Sequence, residues 1–105
     1  MSNEKNRRWL LAERPTGQVE DKFFKWAIEP IPEIADGEML VRVLYLSCDP
    51  TQRGWMTRDT YMPAIKLGEV IRSGGVGRAI ASKNSTFVIG DLVSGLVGWQ
   101  DYAMM

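Results

Sequence analysis

Apolar and polar positions along this chain alternate with a period of two in several short runs. They nowhere hold the 3.6-residue period of an amphipathic helix for three turns. The clearest run is residues 39–47. Met39, Val41, Val43 and Tyr45 share one face there, and Leu40, Leu44 and Leu46 share the other, interrupted only by Arg42. A strand that is apolar on both faces is expected at the centre of a sheet. Residues 7–14 read as a first strand ended by the turn signal Pro15-Thr16-Gly17, and residues 23–28 as an aromatic-rich second strand closed by Pro30 and Pro32. Asp36-Gly37 is a hairpin-type turn opening the central strand. Residues 64–71 read as a short strand broken by Gly68, Ser73-Gly74-Gly75 as a tight turn or bulge, and residues 76–82 as another strand. Lys83-Asn84-Ser85 turns the chain, Gly90-Asp91 is a turn between apolar pairs, and residues 96–105 close the sequence. No segment repeats. Many short strands predict a mainly β fold curled into a small barrel, with the ten glycines at its corners.

Composition narrows what such a barrel does. A length of 105 residues suits one domain with one modest core, so any site that needs a cleft between two domains is incomplete here. Lysine plus arginine and aspartate plus glutamate both number 13, which leaves no electrostatic footprint for nucleic acid or an anionic membrane. The single Cys48 allows no internal disulfide and fits a reducing cytoplasm. The apolar residues 9–12 are cut short by Glu13 and Arg14, so a signal peptide is not expected, and no run reaches membrane-spanning length. Histidine is absent. That excludes a Ser-His-Asp triad, a Cys-His pair and every zinc site with a histidine ligand. Carboxylate, tyrosine, lysine or a borrowed cofactor remain for proton work.

The chemistry that is left concentrates in residues 46–61. Asp49 suits a helix N-cap and Pro50 the first helical position, predicting a short helical turn over residues 50–55. The N-terminus of that turn, with Arg53 beside it, offers a place for a polar ligand, although Arg53 equally suits a solvated pair with Asp59. Gly54 leads to two aromatics, Trp55 and Tyr61. Tyr61 either packs or directs its phenol at a substrate oxygen. Cys48 follows an apolar strand and is expected as a core thiol rather than a nucleophile. The glycines at 74, 75 and 77 suggest a nucleotide loop, but a frame begun at Gly75 finds Ile80 where the third glycine belongs, and a strand follows instead of a helix. A strand-edge or bulge role is expected there. The chain ends on the apolar Met104-Met105, which suggests a polypeptide that continues.

Together, residues 45–56 (Tyr-Leu-Ser-Cys-Asp-Pro-Thr-Gln-Arg-Gly-Trp-Met) and 66–77 (Lys-Leu-Gly-Glu-Val-Ile-Arg-Ser-Gly-Gly-Val-Gly) resemble the N-terminal domain of the zinc-independent medium-chain dehydrogenases/reductases. The likeness is greatest to the prostaglandin reductase, curcumin reductase and 2-alkenal double-bond reductase branch. The opening residues 6–9 and closing residues 90–95 and 98–103 match as well, so the resemblance covers nearly the whole chain. It implies a GroES-like, partly open β-barrel with short helical turns, forming the substrate side of a cleft whose other wall is an NADP-binding Rossmann domain absent from this chain. It further implies reduction of the carbon-carbon double bond of α,β-unsaturated aldehydes or ketones by hydride from NADPH, with no metal. Asp49, Pro50, Arg53 and Gly54 match the family's turn lining the cleft near the nicotinamide, and Tyr61 matches a tyrosine placed over the substrate. Relatives often carry tyrosine and methionine where this chain has Thr51 and Gln52, which alters the pocket's shape and polarity. The implied partners are a small-molecule enone or alkenal and a second subunit of a parent homodimer, with neither nucleic acid nor membrane. With half an active site, the 105-residue chain is expected to be inactive alone. A standalone β-barrel binding or assembly module, whose C-terminal strand pairs with a neighbouring copy, is the competing expectation.

Overall fold

The computed structural model describes residues 5–18 and 20–105. Its elements follow in the order β1 (Lys5–Leu11), β2 (Phe24–Pro30), β3 (Met39–Leu46), α1 (Thr51–Trp55), β4 (Gly74–Ser82), β5 (Leu92–Leu96) and β6 (Tyr102–Met104), with a single 3₁₀ turn, Asp21–Phe23, before β2. β1 and β2 pair antiparallel from Lys5 opposite Pro30 to Leu11 opposite Phe24. The other four strands form one sheet ordered β5-β4-β3-β6. β1 joins the two sheets. Its Trp9 N–H donates to the Trp99 carbonyl at 3.0 Å, and its Arg7 carbonyl accepts from the Asp101 N–H at 3.1 Å, just ahead of β6. Its Leu11 N–H donates to the Glu69 carbonyl at 2.9 Å. The result is the expected mainly β, GroES-like, partly open barrel.

Two apolar clusters fill it. Leu11, Trp55, Met56, Ile65 and Ile71 pack under α1, with Phe24, Met62 and Trp99 against them. Met39, Val41, Ala79 and Val93 pack beneath the four-stranded sheet, with Phe87 and Met105. Gly75 and Gly77 make this second packing possible. A Cβ on Gly77 would lie 2.3 Å from Val41 Cγ1 and 2.5 Å from the Arg42 carbonyl oxygen, and one on Gly75 would lie 2.4 Å from the Tyr45 carbonyl oxygen. The glycines therefore serve close strand packing, with no turn at Gly74 and Gly75, which lie inside β4. The β3–β4 register slips between Leu40 and Val41 and between Val43 and Tyr45, and the second slip falls opposite Val76 and Gly77, where a bulge was one of the expected roles.

Other expectations are corrected by the fold. Residues 64–71 form no strand: Gly68, at φ +87°, turns the backbone, and only an isolated bridge pairs Val70 with Leu10. Gly37 also turns at φ +87°, but the strands on either side of it lie in different sheets, so the turn closes no hairpin. β3 is central by pairing yet buried only at its start. β6 flanks it over Leu40 to Arg42, and beyond that cover Leu44, Tyr45 and Leu46 emerge, with Tyr45 74% exposed. The same loss of cover places Cys48 on the surface and overturns its assignment to the core.

Candidate functional site

The turn after β3 is held by its own side chains. Asp49 Oδ1 accepts the Thr51 N–H at 3.0 Å, and its other oxygen accepts the Ser47 hydroxyl at 3.2 Å. The Asp49 carbonyl accepts the Gln52 N–H at 3.2 Å and the Pro50 carbonyl accepts the Arg53 N–H at 3.1 Å. The first-turn donors of α1 are thus engaged within the turn. Gln52 is buried and its amide donates to the Ser47 carbonyl at 2.6 Å, riveting the helix to the end of β3. This departure from the family pattern therefore acts inward, and Thr51 is the one that faces solvent.

Arg53 is half-buried and committed. Its guanidinium donates to the Thr57 hydroxyl, to the Gly17 carbonyl at 3.1 Å and to the Pro15 carbonyl at 3.4 Å. The alternative pair with Asp59 does not form; Asp59 accepts the Ala64 N–H at 2.8 Å instead. Arg53 thus ties the loop after β1 to α1 and fixes where Gly54 and Trp55 sit. A Cβ placed on Gly54 would make only ordinary contacts, 3.9 Å from the side chains of Arg58 and Thr60. Trp55 is buried, with the Arg72 guanidinium 5.5 Å over its ring and the Tyr61 ring edge-on at 6.1 Å. Tyr61 itself is 78% exposed. Asp49, Pro50, Arg53 and Gly54 thus lie in one self-bonded turn, and Tyr61 rests edge-on against the buried Trp55 with most of its phenol exposed.

A second surface was not anticipated. Trp9, Trp26, Leu46, Cys48 and Trp99 line an open groove of about 490 Å³, with Arg7, Gln100 and Asp101 on its polar side. Trp9 and Trp26 are directly opposed on β1 and β2, their rings 4.8 Å apart, and Trp99 stacks on Phe24 at 5.7 Å. Trp99 also packs against the cluster that holds Trp55, so the groove and the Tyr61 surface share one core. The signal available in the sequence was a tryptophan on each of two neighbouring candidate strands. On the polar side, Arg7 donates two side-chain hydrogen bonds to Asp101, at 2.7 and 3.0 Å. Those bonds hold the Asp101 carboxyl below the usual carboxylate range, and the carboxylate in turn raises the Arg7 pKa.

Neither the helical turn nor the glycine stretch presents free backbone donors to a phosphate. The α1 donors are occupied, and Gly75 and Gly77 are packed against the β3 backbone. Among the described residues, no cluster of three or more Cys, Asp or Glu side chains is placed to hold a metal ion.

Comparison with known proteins gives a consistent picture. A family model described as the N-terminal domain of oxidoreductase matches residues 7–105. The chain is 38% identical over 100 residues to the NADPH-dependent curcumin reductase of Escherichia coli (strain K12), covering 94% of this chain and 29% of that protein. It is 35% identical to the NADP(+)-dependent 2-alkenal reductase of Nicotiana tabacum over 71% of this chain and 22% of that one. The crystal structure of CurA from Vibrio vulnificus superimposes with a TM-score of 0.90 at 40% identity, covering 95% of this chain and 30% of that chain. CurA has also been solved in complex with NADPH. The chain spans less than a third of the length of these relatives.

Proposed function

Since the chain belongs to the family of oxidoreductase N-terminal domains, within the medium-chain dehydrogenases/reductases, we propose that it supplies the substrate-side wall of an NADPH-dependent reductase acting on the carbon-carbon double bond of α,β-unsaturated aldehydes or ketones. The observation that carries the reading is the exposed Tyr61 phenol set edge-on to a buried Trp55, which ends a helical turn that Asp49, Gln52 and Arg53 hold in place. A conjugated carbonyl compound is flat and polar at one end. The exposed Tyr61 ring suits the flat part, and its phenol O–H suits the oxygen on which negative charge develops. In this reading Tyr61 positions substrate, Asp49, Pro50 and Gly54 shape the nicotinamide side of the cleft, and Arg53 keeps the turn in place. NADP would supply the hydride and is held by polypeptide outside this chain. A cytoplasmic setting accords with the exposed, unpaired Cys48 thiol.

The chain alone and a chimera built on it test the proposal. The 105-residue chain alone is expected to give no saturable enhancement of NADPH fluorescence and no enone turnover. A chimera carrying these residues in place of the matching segment of the Escherichia coli curcumin reductase is expected to consume NADPH with a 2-alkenal, yielding a product two hydrogens heavier with its carbonyl intact. Tyr61→Phe in that chimera should raise KM or lower kcat about tenfold. An allylic alcohol as product, or a folded chimera that binds NADPH but leaves the alkenal untouched, would refute the proposal.

A further inference from the structure

The four-stranded sheet ends on β5, whose sequence is Leu-Val-Ser-Gly-Leu. The phase of its pairing follows from the Ala79 N–H donating to the Asp91 carbonyl at 2.9 Å. In the same antiparallel phase Val93 and Gly95 exchange bonds with Gly77 and Gly75, and the N–H and C=O groups of Leu92, Ser94 and Leu96 are directed away from β4. The side chains of those three residues also share one face, where Leu92 is 61% and Leu96 52% exposed. Val76, opposite Ser94, and Tyr45, opposite Val76, extend that face with further exposed apolar surface.

The other sheet edges are protected. β6 has its Tyr102 N–H held by Asn6 Oδ1 at 3.0 Å, which also disfavours the pairing of the C-terminal strand with a neighbour. β2 carries Lys25, Glu29 and Pro30, the residue types that keep an edge from pairing. β5 carries no charge and no proline. Arg78 on the adjacent strand donates to the Gly90 carbonyl at 2.8 Å, so its charge is tethered within its own chain.

We propose that two copies of the chain pair edge to edge through β5, antiparallel about a twofold axis at Ser94. That register sets Ser94 against its own counterpart and Leu92 against Leu96 of the second copy, twice by symmetry. The outward-directed residues fall at 92, 94 and 96, symmetric about 94, so every donor meets an acceptor and the exposed leucines cover one another. A slip of one residue would set outward groups against inward ones and lose the bonds. The product is one continuous eight-stranded sheet with an isologous interface. The pairing stands on the geometry of β5 alone and holds whether or not the chain serves a reductase.

Sedimentation equilibrium of the 105-residue chain over a concentration series, with amide hydrogen exchange at both ends of it, tests the pairing. The mass is expected to rise from one chain to two, and the Leu92, Ser94 and Leu96 amides to gain protection in step. Ser94→Pro deletes an outward donor and Leu92→Lys places a charge opposite a leucine; both leave the bonds to β4 in place. Each variant should remain at one chain's mass over the series with an unchanged far-ultraviolet dichroism spectrum. A wild-type mass of one chain throughout would overturn the proposal, whether or not the three amides are protected. So would a dimer that survives Leu92→Lys with those amides exchanging freely, since it would be built on another surface.

Discussion

Replacing Gly77 by alanine probes the packing of β3 on β4 at a point where the two leave no room for a side chain. The added Cβ would sit 2.3 Å from Val41 Cγ1 and 2.5 Å from the Arg42 carbonyl oxygen, more than an ångström inside ordinary contact in the first case. Val41 is wholly buried among Met39, Ala79 and Val93 and has nowhere to turn, and the Arg42 oxygen is backbone. The strands must therefore separate. Overpacking of this kind costs about 1–3 kcal/mol, and a displaced ladder puts the expected value near the upper end. The smaller conformational entropy of alanine in the unfolded chain offsets about 0.5–1 kcal/mol. A net loss of about 2 kcal/mol remains, equivalent to a fall of about 8–16 °C in Tm for a domain of this size. Urea and thermal unfolding followed by circular dichroism would measure it. Gly54→Ala is the matched control, because its Cβ meets nothing closer than 3.9 Å, and it should be neutral or stabilising. Should Gly77→Ala unfold within about 0.5 kcal/mol of the parent, the explanation of these glycines as packing devices fails.

Asp101→Asn should lower the urea midpoint at neutral pH by weakening the tie between Arg7 of β1 and the approach to β6. Because the folded carboxyl has the lower pKa, its contribution is fully present above the unfolded value of about 3.9 and fades as the pH falls through the folded one, so the midpoints of the two proteins should converge in acid. A gap that persists unchanged into strong acid would assign the effect to shape. Cys48 should react with an aromatic disulfide reagent in the native protein about as fast as in the unfolded one, given its exposure; slow native reaction reversed by urea would return it to the core.

The elements of this fold were legible where local patterning decides them and obscure where distance does. The alternation in residues 39–47 predicts β3, and Asp49-Pro50 predicts α1, because both depend on neighbours in sequence. How far a neighbouring strand extends is not written locally, so the end of β3 and Cys48 were expected in a core that β6 is too short to build. Arg53 showed its charge but not its acceptors, two of which lie 36 and 38 residues earlier. Trp9 and Trp26 read as interior residues of strands. Their register as a directly opposed pair, and hence the groove, emerges only once β1 and β2 are aligned.

The contacts that seal the barrel join the two ends of the chain. Asn6 donates to Gln100 and accepts from the Tyr102 N–H, and Arg7 grips Asp101, at separations of 94 to 96 residues. The second flank of β1 is covered in two stages: residues 68–71 bond to Trp9 and Leu11, and residues 99–102 then close over Asn6 to Trp9. Closing so long a loop costs about 4 kcal/mol in chain entropy, recovered only when these contacts form together. The start of the first strand, at Asn6 and Arg7, is therefore the part of the barrel secured only when residues 100–102 arrive.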